Sequence, residues 1–184
     1  MYNSEKKMSG LMCPNCLKLL DVWTEVGIRH ETEFPIQLSM CNIEYDCPEC
    51  QSHVIGIQLD RGIADIVASF NKKGYKTLWS CWGHENENEK EAYIIFEESF
   101  ENIINAYPFL RKYFVKDDEK GMHYRYQKLI ANHNRWVERF VIYYDGDDKK
   151  EKRKIFKELV DALPFLGKSV QFHENICWNK KEES

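Results

Sequence analysis

The residues whose types and spacing most directly imply chemistry are two identical C-P-x-C pairs, Cys13-Pro14-Asn15-Cys16 and Cys47-Pro48-Glu49-Cys50. The turn between the cysteines of each pair aims both sulfurs at one point, with backbone N–H groups free to bond the thiolates. Two such knuckles, brought together by a β-hairpin, supply the tetrahedral four-sulfur shell that zinc prefers. Their separation exceeds the common range for this pattern, but loop closure becomes only slowly costlier with length. A closed four-thiolate shell has no open position, so the expected zinc is structural rather than catalytic. Free thiols or a redox pair form the competing reading. Cys41 and His53 lie close enough in sequence to alter the ligand set, His53 by replacing a cysteine or by bonding to one. A packed cysteine and a solvent-facing histidine are the plainer expectations for these two.

A second concentration of unusual residues is Gly74-Tyr75-Lys76-Thr77-Leu78-Trp79-Ser80-Cys81-Trp82-Gly83-His84. It places Ser80, Cys81 and His84 at a strand end, where loops of mixed folds commonly hold ligands, and Trp79 and Trp82 offer rings for stacking. Three readings compete. One is a buried structural cysteine beside a turn histidine. Another is a ligand-binding site built from Trp79, Ser80, Cys81, Trp82 and His84 for a nucleotide, base or peptide. The last is a nucleophilic Cys81 activated by His84, for which the sequence names no orienting third residue. The acids Glu85, Glu87, Glu89 and Glu91 read as a solvated loop. Lys149, Lys150, Lys152, Arg153, Lys154 and Lys157, interleaved with acids, read as a solvated helix face.

These residues need elements to hold them. Residues 18–26 and 36–46 read as the two ribbon strands, with 27–35 as their loop. Residues 54–59 read as one strand ending at Asp60, a helix N-cap. Ile63, Ile66, Val67 and Phe70 repeat at helical spacing up to Lys72-Lys73-Gly74. Strands are expected at 75–81 and 92–96, then a helix from Ser99 burying Phe100, Ile103 and Ile104. Two further strands, 124–131 and 136–144, flank the turn Asn132-His133-Asn134. A last helix at 149–163 buries Ile155, Phe156, Leu159, Val160 and Leu163. The strand–helix–strand–strand–helix order predicts a ferredoxin-like α+β sandwich. One echo stands out: Tyr93-Ile94-Ile95-Phe96 with its helix and Pro108-Phe109-Leu110 parallels Phe140-Val141-Ile142-Tyr143 with its helix and Pro164-Phe165-Leu166.

The 184 residues contain 43% hydrophobic and 14% aromatic side chains, enough to bury a core rather than remain disordered. No apolar run approaches the roughly 18 residues of a membrane span, and the polar opening lacks the apolar stretch of a signal peptide. The seven cysteines, an odd count in such a chain, argue against a disulfide framework. A cytoplasmic location is the resulting expectation. A net charge of −4 argues against a dedicated nucleic-acid binder while leaving room for a local basic patch.

The ribbon, the helix, the G-Y-x-T-x-x-S-C-x-G-H run and the strand Ala92-Tyr93-Ile94-Ile95-Phe96 together resemble a group of small bacterial and phage-encoded zinc-ribbon proteins of unassigned activity. That resemblance covers residues 13–97 and implies an α+β domain with a ligand-facing Ser-Cys-x-Gly-His turn. The Ser-Cys-x-Gly piece also looks like one in wybutosine-pathway tRNA methyltransferases, which continue with Arg where this chain has His84. The resulting organisation is a zinc ribbon at 11–53, an α+β domain at 54–178 and a charged tail at 179–184. Two functions follow as expectations. The first is a binding or regulatory protein for a nucleic acid, nucleotide or protein partner, a class that includes phage-encoded inhibitors of host systems. The second is an enzyme acting on a nucleotide or RNA with Cys81 and His84 in its site.

Overall fold

The computed structural model describes residues 9–21, 44–60, 62–83, 91–97, 101–116, 118–131 and 135–167. Its first part is built of short strands: β1 (Ser9–Met12), β2 (Leu19–Asp21), β3 (Glu44–Asp46), β4 (His53–Ile55) and β5 (Ile57–Asp60). Each cysteine knuckle closes a hairpin of its own, the first between β1 and β2, the second between β3 and β4. The two hairpins therefore arise from strands that flank each knuckle on both sides, and β1 was not expected from the sequence. Of the two ribbon strands anticipated there, 19–21 and 44–46 are extended; residues 22–43, including the expected loop and Cys41, lie outside the described residues.

The stretch read as one strand at 54–59 is two. β4 pairs with β3, and β5 pairs antiparallel with β1 to form a sheet of order β2-β1-β5. Gly56 sits at the changeover. A Cβ there would meet Leu11 Cδ1, Leu11 Cγ and Tyr45 Cε1, so only a residue without a side chain lets the chain pass between the two hairpins. The expected domain boundary between 53 and 54 falls inside β4.

The remainder is α1 (Ala64–Lys72), β6 (Thr77–Cys81), β7 (Ala92–Phe96), α2 (Glu101–Ala106), a 3-10 helix (Pro108–Tyr113), β8 (Gly121–Ala131), β9 (Arg135–Asp145) and α3 (Lys149–Ala162). The helical spacing of Ile63, Ile66, Val67 and Phe70 does place all four in the core. α1 begins later than the sequence suggests. Ile63 occupies its N-cap without a side-chain bond, because the Asp60 carboxylate accepts from the Trp82 N–H at 2.9 Å instead. At the other end of α1, Asn71 is buried and bonds Val67 O, Thr77 Oγ1 and Thr77 N, tying the helix to β6. α3 is N-capped by Asp148, whose side chain accepts from the N–H groups of Lys150 and Glu151.

The fold is mixed α and β, but its sheet order departs from the ferredoxin-like expectation. The four-stranded sheet runs β6-β7-β9-β8 and is antiparallel throughout. A ferredoxin-like sheet would need β5 as a member, and β5 is committed to β1. Hydrophobic alternation marks a stretch as a strand without saying which free edge it will satisfy, and β1 offers one immediately beside the chain. The main core lies between the helices and one sheet face, with Phe70, Phe96, Phe140 and Phe156 fully buried in it. Both Pro-Phe-Leu stops use Leu inward and Phe outward: Leu110 is buried, while Phe109 and Phe165 are exposed. Gly56→Ala is expected to cost about 1–3 kcal/mol through overpacking at the hairpin crossing. Urea unfolding followed by circular dichroism would check this, and an unchanged midpoint would show that Leu11 gives way freely.

Candidate metal centre and the Trp79–Gly83 turn

The two knuckles have the same backbone. Cys13 N–H donates to Lys18 O (2.9 Å) and Leu17 N–H to Cys13 O (2.9 Å); Cys47 N–H donates to Ser52 O (3.0 Å) and Gln51 N–H to Cys47 O (2.8 Å). The residue after each second cysteine takes a left-handed conformation, Leu17 at φ 59° and Gln51 at φ 57°. Neither is the glycine that usually occupies this region, so the knuckle geometry is imposed on the side chain present. This repetition brings the four sulfurs together within 4.8 Å of one another. The closest approaches cross between knuckles, Cys13 to Cys50 at 3.7 Å and Cys16 to Cys47 at 3.6 Å. These are far longer than a disulfide of about 2.05 Å. Such a cluster can hold a metal ion.

The cluster is also a small core. Leu11, Leu20, Tyr45 and Val54 bury Cys13 and Cys47, and Cys16 and Cys50 pack partly against them. Burial pushes the Cys13 thiol up and the Cys16 thiol up to about 12. Hydrogen bonds at Ser52 act the other way on Cys50 and bring it down to about 6. Desolvation and the neighbouring thiols Cys13 and Cys47 raise the Tyr45 phenol, which stays neutral beside the sulfurs. His53 does not join the ligand group. Its ring is exposed and bonds Asp46 through Nδ1 at 2.9 Å, with Glu44 at 3.7 Å.

The second candidate site is only partly assembled as the sequence suggested. Trp79 and Trp82 are half-buried, Cys81 is buried, and His84 lies outside the described residues. The half-buried Trp82 ring already has close neighbours. A Cβ on Gly62 would lie 2.5 Å from Trp82 Cδ1, and Lys152 Nζ sits 4.8 Å from the ring centroid. Lys152 also donates to Trp82 O at 3.2 Å, and Gly83 N–H donates to Cys81 Sγ at 3.3 Å. Ser80 Oγ is buried without a hydrogen-bond partner among the described residues.

Lys152 and Arg153 correct the reading of 149–157 as a wholly solvated face. Lys149, Lys150, Lys154 and Lys157 are exposed, but Lys152 retains 5% of its surface. Burial and then Lys149 lower its ammonium pKa, opposed by Cys81 and Asp147. Arg153 donates to Gly62 O at 2.7 Å and to Asp65 Oδ2 at 2.6 Å. The signal was present in the periodicity: Lys152 falls in phase with Phe156, Leu159 and Leu163 on the buried stripe of α3.

His53 provides a check on this geometry. The Asp46 hydrogen bond raises its pKa above the ordinary 6.5, so the interaction stabilises the fold below that value and is lost as pH rises through the folded pKa. An NMR titration is expected to place the His53 midpoint above 6.5, and Asp46→Asn to bring it back. A midpoint that ignores the substitution would show that the pair does not form in solution.

Comparison with protein-family models, with curated proteins and with solved structures finds no match, so the functional reading rests on the geometry of these residues.

Proposed function

We propose that this chain is a zinc-ribbon binding or regulatory protein, recognising a nucleic acid, nucleotide or protein partner, with zinc in a purely structural role at Cys13, Cys16, Cys47 and Cys50. The sulfur spacing carries the metal reading. Zinc–sulfur bonds of about 2.3 Å in a tetrahedron put sulfurs about 3.8 Å apart, close to the 3.6 and 3.7 Å between the knuckles. Four thiolates complete the coordination shell, which leaves the metal nothing to activate and directs function to the protein surface. A phage-encoded inhibitor of a host system would belong to this class.

The metal reading has direct tests. The protein is expected to purify with one equivalent of zinc, and Cys13→Ser or Cys47→Ser to retain less. Structural zinc in small fingers contributes roughly 10–16 kcal/mol of apparent binding free energy. Chelation should therefore unfold β1 to β4. It should also lower the thermal midpoint of the rest, since β1 pairs with β5 and buries Met12 in the main core. A melt unchanged by chelation would remove zinc from the account.

A second reading, an enzyme acting on a nucleotide or RNA through Cys81 and His84, is favoured by the Gly83 N–H on Cys81 Sγ and the Lys152 cation nearby. Both features stabilise a thiolate. Alkylation of Cys81 across pH separates the two readings. The binding-protein reading expects the slow reaction of a buried, unactivated thiol, whereas rapid alkylation well below pH 8 would favour catalysis.

A further inference from the structure

Tyr45 is the buried residue of β3, set between the exposed Glu44 and Asp46. It stands opposite Val54 of β4, two residues before Cys47, and packs into the core that contains both Cys13 and Cys47. Its ring has little room to swing. A Cβ on Gly56 would lie 2.9 Å from Tyr45 Cε1, so the changeover from β4 to β5 runs close along the ring edge. In a close-packed interior such contacts fix where the phenol oxygen lies.

That oxygen is otherwise unexplained. Tyr45 retains 7% of its surface, and its hydroxyl is buried without a hydrogen-bond partner among the described residues. Buried tyrosine hydroxyls usually find a partner, and one left unpaired is unfavourable. Phenylalanine would fill the same space without bringing a polar atom into it. Burial raises the phenol first, then the charges of Cys13 and Cys47, with Cys13 acting as a side-chain partner as well. A neutral thiol is a weak acceptor, and the hydroxyl forms no bond to it.

Metal binding changes the acceptor. A thiolate carries the charge that a thiol lacks, and hydrogen bonds to charged groups are the stronger ones. We propose that the Tyr45 hydroxyl is a positioning donor of the metal centre, hydrogen-bonding the Cys13 thiolate when the four cysteines hold zinc. This rests on the zinc reading above and extends it to a residue that ligates nothing itself. Partners of this kind orient a metal ligand and tune its basicity. Cys13 already receives backbone N–H bonds from Asn15 and Cys16 of its own turn. Tyr45 belongs to the other hairpin, so its bond ties the two knuckles together as the metal loads.

The test is competition of the zinc-loaded full chain against a chelating indicator, with Tyr45→Phe beside the unsubstituted chain. The substitution removes the oxygen and keeps the ring. If the hydroxyl bonds the thiolate, zinc affinity should fall about tenfold or more. If it bonds nothing, deleting a buried unpaired oxygen should leave affinity unchanged or raise it. Cobalt(II) in place of zinc supplies a spectroscopic readout. Loss of a donor to sulfur raises the energy of the sulfur electrons, so the thiolate-to-cobalt charge-transfer band of Tyr45→Phe should move to longer wavelength. Val54→Ala thins the same core without removing a donor; it should weaken zinc through packing and leave the band in place. Equal or tighter zinc binding by Tyr45→Phe would overturn the role of Tyr45 and leave the metal reading standing. So would a band that stays put in Tyr45→Phe, or one that moves as far in Val54→Ala. An unsubstituted chain that takes up neither zinc nor cobalt would overturn both.

Discussion

β1 belongs to two cores at once, and the rest of the structure is arranged around that constraint. Alternation along the strand sends Leu11 into the sulfur-lined core and Met12 into the main one. β5 then closes the free edge of β1, and its chain arrives there directly from β4 through Gly56. The hairpin carrying the second knuckle is thereby fixed against the strand carrying the first. Bringing four sulfurs together is a consequence of this shared strand as much as of the cysteine turns themselves.

Seen this way, the knuckles are not an appendage. Neither hairpin has enough apolar surface for independent stability, since strands of three or four residues bury little. Their common core counts Cys13 and Cys47 among its buried members, so the side chains able to hold a metal ion are also among those that pack the two hairpins together. Holding neutral thiols there is feasible because burial raises Cys13 and Cys16. A cation replacing their protons would gain from the same burial.

How much of this could be read from the sequence depended on whether a signal was local. The C-P-x-C pairs are local, and their grouping is confirmed by the geometry. The apolar spacing of α1 and α3 and the limits of β7 are local too, and they hold. Asp60 shows where locality fails: as a residue before a helix it reads as a cap, yet its carboxylate is taken by the Trp82 N–H, 22 residues on. β5 fails for the same reason, because its pattern is equally satisfied by either sheet. Lys152 was legible in phase but hidden by type, since a cation within a charged run is ordinarily solvated.

The turn around Cys81 shows what such non-local contacts do to a candidate site. Two tryptophans beside a cysteine and a glycine suggest a platform for a ring, and composition alone supports that idea. Packing removes one of the two platforms: Trp82 is closed on one face by Gly62 and met by the Lys152 ammonium, with its backbone bonded at both N–H and C=O. The aromatic ring that looked available is the piece joining β6 to α3 and to the start of α1. The Lys152 ammonium over the ring and its bond to the same residue's carbonyl make Trp82 a structural joint.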